Sequence, residues 1–126
     1  MLAHARLQTI IRCSCRAVAE TFYVGTLGLP LIRRTFNGLI VDCGGTDLCL
    51  CEDKDIQLSG HAVAGFAVAD IAAAVADLMA SGVHLERIEG MRQDDSGVAI
   101  APDGSGVGWF RDPDGNFLSV VQYACG

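Results

Sequence analysis

Trp109-Phe110-Arg111-Asp112-Pro113-Asp114-Gly115-Asn116-Phe117-Leu118-Ser119-Val120-Val121 is the stretch whose reading decides the fold. Two apolar runs flank the segment 112–116. Pro113 pre-sets φ for the first inner position of a turn, and Gly115 supplies a left-handed position at no steric cost. Asp112 and Asn116 can bond turn amides that a hairpin loop leaves unpaired. The stretch therefore predicts a hairpin joining two strands. Alternation then places Phe117, Ser119, Val121 and Tyr123 on one face of the last strand.

Working outward, the second half predicts strands over 61–68, 83–88, 97–101, 107–111 and 117–123, with loops over 90–96 and 102–106. Asp70 caps a helix running through Ala80, with Ile71, Ala74, Val75, Leu78 and Met79 as its apolar stripe, and Gly82 closes it. The first half follows the same plan. A strand over 7–13 puts Gln8, Ile10 and Arg12 on one face and Leu7, Thr9 and Ile11 on the other. Ser14 is expected to cap a helix over 16–26 with Val18, Phe22 and Gly25 on one face, ended by Gly28. Strands over 31–36, 39–43 and 46–51 come next, joined by turns at Asn37-Gly38 and Gly44-Gly45. The segment 52–60 has no apolar periodicity and reads as a connector. The halves repeat at an offset of about 55 residues, as two stacked supersecondary units would.

Three motifs in order, Phe22-Tyr23 with Leu27-Gly28-Leu29, Val68-Ala69-Asp70-Ile71 with Leu78 and Gly82-Val83, and the final hairpin, carry a resemblance. The chain resembles the glyoxalase / bleomycin-resistance / extradiol-dioxygenase (vicinal oxygen chelate) superfamily over about residues 7–123. The resemblance implies an α+β fold of two βαβββ modules, each curled into an incomplete barrel and together enclosing a cleft. It implies one domain over 1–126, with module one at about 1–56 and module two at about 57–126.

Composition narrows the function classes. Hydrophobic residues make up 51% of the 126 residues and charged residues 19%, which marks a folded chain. The net charge of −6 with no basic cluster argues against nucleic-acid binding. No apolar run is long enough to span a membrane, and the start lacks a signal-peptide core, so a cytoplasmic protein is expected. The mean hydropathy of +0.36 is high for a small chain and predicts a buried subunit interface, that is, a homodimer. The cysteines Cys13, Cys15, Cys43, Cys49, Cys51 and Cys125 lack disulfide or zinc spacing and read as small buried hydrophobes.

Metal-dependent members of the superfamily place His, Gln or Glu at the starts of the two first strands and Glu in the two last strands. By register these positions fall on Gln8 and Val63, with His61 two residues earlier on the same strand face, and on Ser119. The strand over 46–51 offers Asp47, Cys49 and Cys51 but no Glu. Of four expected ligands one survives, as Gln8, whereas such a centre needs about three protein ligands and an open position. No resident cofactor is therefore expected, a divalent metal being the alternative. Trp109 beside Gly104, Gly106 and Gly108 reads either as a wall for a flat ligand or as a core residue. His61 is the best acid/base candidate, but no catalytic residue is assigned. The expected ligand-binding residues are Gln8, His61, Val63, Trp109, Phe117 and Ser119. The function expected from the resemblance is metal-independent binding of a small drug-like or aromatic molecule. Its alternatives are a metal-dependent lyase, isomerase or dioxygenase, and a protein acting only through its dimer surface.

Overall fold

Alternating apolar positions on four short strands and one amphipathic helix recur twice, and each set builds its own core. The computed structural model describes residues 1–124, so Cys125 lies outside the described residues. The chain divides into two compact units, Met1–Gln57 and the part from Leu58 onward.

The first unit contains β1 (Gln8–Cys13), α1 (Arg16–Glu20), β2 (Leu31–Thr35), β3 (Gly38–Cys43) and β4 (Thr46–Glu52). The sheet order is β1-β4-β3-β2, with β1 parallel to β4 and the other pairs antiparallel. Alternation along the strands sends Ile11, Cys13, Leu39, Val41, Leu48 and Leu50 to one face, where Ala19 and Tyr23 are also buried. Each such Leu or Ile removed from water contributes about 1.5–3 kcal/mol.

Three local expectations are corrected here. The N-cap of α1 is Cys15, not Ser14, and it makes no side-chain cap bond. Instead Glu52 of β4 reaches back and accepts from the Arg16 amide at 2.9 Å, placing an acid at the positive end of the helix. Beyond Glu20 the helix continues as a wider π-type turn over Thr21–Thr26. The buried positions are Ala19 and Tyr23, and Val18 is exposed, so the expected face of Val18, Phe22 and Gly25 is wrong. The turn between β2 and β3 occupies Phe36-Asn37, one residue earlier than expected. Gly38 belongs to β3, where an added Cβ would stand 1.7 Å from the Leu50 carbonyl oxygen. That glycine serves a close backbone approach, and the hairpin with two left-handed residues is at Gly44-Gly45, with φ of 58° and 92°.

The second unit contains β5 (Ala64–Ala67), α2 (Ile71–Ala80), β6 (Ala99–Ile100), β7 (Gly106–Arg111) and β8 (Phe117–Gln122). Its order, β5-β8-β7-β6 with β5 parallel to β8, repeats the first sheet. The architecture is thus the α+β pair of βαβββ units expected. Asp70 caps α2 by accepting from the Ala73 amide at 3.1 Å, and Gly82 follows at φ 87°. Ile71 and Val75 are its buried residues, whereas Met79 lies outside the stripe and is exposed. They join Val83, Leu85, Val98, Phe110, Leu118 and Val120 in the core.

The segment 83–88 is not a strand. It makes a single backbone bond to β7, from the Glu86 amide to the Trp109 carbonyl at 2.6 Å. Further on, the Gln93 side chain takes the place of a ladder partner: its Oε1 accepts from the Ile88 amide, and its Nε2 donates to the Glu86 and Gly97 carbonyls. A polar side chain thus satisfies backbone groups that would otherwise need a strand.

The deciding hairpin forms as expected. Asp112 Oδ1 accepts from the amides of Asp114 and Asn116 at 3.0 and 2.9 Å, and Asn116 Nδ2 donates to Asp112 Oδ2 at 2.9 Å. Gly115 adopts φ 88°. Both Asp112 and Asn116 are buried, so these bonds offset their desolvation.

Candidate functional site

On β7 the alternation sets Val107, Trp109 and Arg111 on the face opposite to Gly106, Gly108 and Phe110. The glycines therefore do not open space for a ligand at Trp109, as the sequence suggested. They make room in the core: a Cβ on Gly108 would stand 2.4 Å from Leu85 Cδ1, and one on Gly106 3.3 Å from Ile71 Cγ2.

Trp109 lies across from Ser119, and Arg111 across from Phe117. The half-buried indole of Trp109 stacks with the Phe117 ring at a centroid distance of 6.5 Å and an interplanar angle of 5°. The Arg111 guanidinium lies 4.3 Å from the Phe117 centroid, a cation–π contact. It also donates to the Gly115 carbonyl at 3.0 Å and approaches Glu86 at 3.4 Å. Phe117 is thus held between neighbours, which fixes the aromatic wall before any ligand arrives.

Beside this wall is a cavity of about 460 Å³ lined by Glu89, Gly90, Met91, Arg92, Ala99, Ile100, Ala101, Pro102, Val107 and Trp109. Of the six residues named from sequence, Trp109 alone is in that lining. Val63, Phe117 and Ser119 share its sheet face: the Val63 amide donates to the Phe117 carbonyl at 2.9 Å, and Gly65 is in register with Ser119. Sequence reasoning missed Met91, Arg92 and Ile100. The available signal was the glycine turn at Gly90 (φ 80°) followed by an exposed methionine.

Gln8 and His61 are not part of that lining. Gln8 is exposed at the start of β1, in register with Asp47 of the first sheet. Asp47, only 7% exposed, accepts from Arg6 at 2.9 Å. Cys49 follows on the same face, where burial pushes its thiol up, with Cys51 and Asp47 adding to the rise and Arg33 opposing it. His61 precedes β5, exposed, with Nδ1 3.0 Å from Ser59 Oγ. The register keeps Val63, not His61, opposite the last strand, so the two-residue slip that would bring the imidazole into place is absent.

The donor chemistry at the superfamily's ligand positions does not fit a divalent metal. It comprises a neutral amide at Gln8, an isopropyl group at Val63 and a hydroxyl at Ser119, and the carboxylate in register with Gln8, that of Asp47, is already engaged by Arg6. Among the described residues no group of three His, Cys, Asp or Glu side chains is placed to hold a metal ion.

Paired βαβββ units with an open aromatic sheet face define the class of this molecule. A family model of the Glyoxalase/Bleomycin resistance protein/Dioxygenase superfamily matches residues 7–120, and the chain belongs to that superfamily. No curated protein sequence matches the chain. Among solved structures it is similar to a member of the same superfamily from Sphaerobacter thermophilus DSM 20745, at 23% identity and TM-score 0.73, covering 97% of this chain and 99% of that one. A glyoxalase/bleomycin resistance protein/dioxygenase from Alicyclobacillus acidocaldarius is similar at 18% identity and TM-score 0.72, covering 97% and 93%. So is a lactoylglutathione lyase from Agrobacterium tumefaciens, at 19% identity and TM-score 0.72, covering 94% and 93%. At these identities the likeness concerns the fold, which this superfamily shares among unrelated chemistries. No helix among the described residues is long and apolar enough to cross a membrane.

Proposed function

We propose that this chain binds a small aromatic or drug-like molecule and does so without a resident metal. The observation that carries this reading is the Trp109–Phe117 stack beside a cavity whose apolar walls, Met91 and Ile100, are 42% and 69% exposed. Exposed apolar side chains gathered round one concavity mark a binding surface more often than chance scatter does. Val63 and Ser119 extend the same face. Gln8, also named as a binding residue from the sequence, belongs to the first unit, and His61 precedes β5 in the second.

Trp109 is the sole tryptophan, so its emission reports on the site directly. Titration with aromatic compounds is expected to give saturable quenching or a spectral shift, with Trp109→Ala removing the ligand's thermal stabilisation. No response from a broad aromatic library would overturn the reading. EDTA-stripped protein titrated with Ni²⁺, Zn²⁺, Mn²⁺ and Fe²⁺ is expected to melt unchanged. A metal at a hundred times its Kd would add about 2.7 kcal/mol, and such a shift, abolished by Gln8→Ala, would favour the metal-dependent lyase, isomerase or dioxygenase instead.

The proposal includes a single domain over 1–126 and a cytoplasmic homodimer, supported by the mean hydropathy of +0.36 and by Phe36, 92% exposed at its hairpin tip. Sedimentation equilibrium giving only the monomer mass would remove the dimer.

A further inference from the structure

The rim of the Trp109 cavity carries two opposite charges that the described residues leave unpaired. Arg6, Arg12, Arg16, Arg34 and Arg111 are each paired with a carboxylate, and Arg87 donates to the carbonyls of Asp94 and Asp95. Arg92 has no such partner among the described residues, and neither does Glu89, although both line the same cavity. They are not paired with each other.

The loop that carries them is nonetheless tied down. The Met91 amide donates to the Ile88 carbonyl at 3.1 Å across the turn at Gly90, and Gln93 and Arg87 bond its two limbs together. A free cation and a free anion on a pinned loop, beside an aromatic wall, form a three-point arrangement. From this we infer that the cavity takes an aromatic zwitterion: a ring against Trp109, a carboxylate at Arg92 and an ammonium group at Glu89. A guanidinium fork matches a carboxylate in two parallel bonds, and a carboxylate accepts readily from an ammonium group. This inference rests on the Trp109 site proposed above and narrows its ligand class.

The test uses four probes of one skeleton: L-phenylalanine (zwitterion), 3-phenylpropionate (anion), phenethylamine (cation) and 3-phenylpropionamide (neutral). Binding is read from Trp109 emission excited beyond the absorption of the probes. Each matched charge on a solvent-accessible rim is expected to tighten binding by roughly five-fold, so phenylalanine should bind tightest and the amide weakest. Arg92→Gln should collapse the ratio between phenethylamine and phenylalanine, and Glu89→Gln the ratio between phenylpropionate and phenylalanine. If all four bind alike, the zwitterion inference fails and the aromatic site stands. A preference for the anion alone, unmoved by Glu89→Gln, also overturns it. If none of the four binds while other aromatic compounds quench Trp109, the inference fails and the site reading survives; if nothing quenches, both fail.

Discussion

In the first unit the sheet face away from the Ile11–Leu50 core carries Gln8, Ile10, Arg12, Asp47 and Cys49. In the second the corresponding face carries Val63, Gly65, Trp109, Phe117 and Ser119. Strand order and pairing are the same in both. One face is laced with charge, Asp47 being held by Arg6, and the other is walled by stacked rings. The difference teaches that a repeated topology does not repeat chemistry. Backbone ladders and one apolar face suffice to build each sheet, which leaves the opposite face free to diverge.

The largest effects test whether the two cores are as alike as their topologies. Leu50 on β4 and Leu118 on β8 are central and fully buried. Leu50→Ala and Leu118→Ala should each lose about 3 kcal/mol in urea unfolding. A loss below about 1 kcal/mol at either site would show that its core collapses to fill the space and would break the equivalence.

A smaller contrast lies in the turns. Asp112 accepts three bonds in its hairpin, all buried or part-buried, and Asp112→Ala should cost about 2 kcal/mol by removing the acceptor of those donors. Its counterpart Asp42 accepts one exposed bond from the Gly45 amide and lies 3.9 Å from the exposed Arg6 guanidinium, so Asp42→Ala should cost about 0.5 kcal/mol. Equal losses would show that the Gly44-Gly45 turn depends on its side-chain anchor and not on its two glycines.

The smallest effect is electrostatic. Hydrogen bonding from Ser96, followed by the Val98 amide, holds the Asp94 carboxyl below its ordinary value of 3.8. In the first unit the Arg16 amide, with the Arg16 charge, holds Glu52 below its ordinary 4.5. Folded pKa values below the unfolded ones mean that each carboxylate stabilises the protein above its ordinary value, and that this is lost as pH falls through the folded value. Asp94→Asn and Glu52→Gln should each flatten the fall in urea midpoint below about pH 4.5. An unchanged slope in either variant would remove that residue from the acid response.

Much of the fold was legible because its signals are local. Asp70 before an apolar stripe, Gly82 after it, and Asp-Pro-Asp-Gly-Asn between strands each specify a conformation within a few residues. The misses share a cause. Nothing near Ser14 reveals that Glu52, thirty-six residues from Arg16, would serve the helix start. Nothing near residue 85 reveals that Gln93 would replace a strand partner.

The candidate site was legible in part. Trp109, Phe117, Ser119 and Val63 share a face because strand alternation is simple arithmetic. The glycines before Trp109 suggest room beside the indole, although the same arithmetic sets Gly106 and Gly108 on the opposite face of β7. That Leu85 fills the space they leave is a tertiary contact with no sequence period. Met91, Arg92 and Ile100 come to the cavity through a loop and an edge strand, where no periodicity operates.

By itself the sequence determined the two βαβββ units, the Asp70 cap of α2 and the final hairpin turn, because these depend on residue type at fixed spacing. Only the tertiary structure decided which face of β7 meets the core, where the cavity opens, and which charges stay unpaired at its rim. Those outcomes depend on contacts between segments far apart in the chain, and such contacts are set by packing volume and hydrogen-bond satisfaction once the whole fold is assembled.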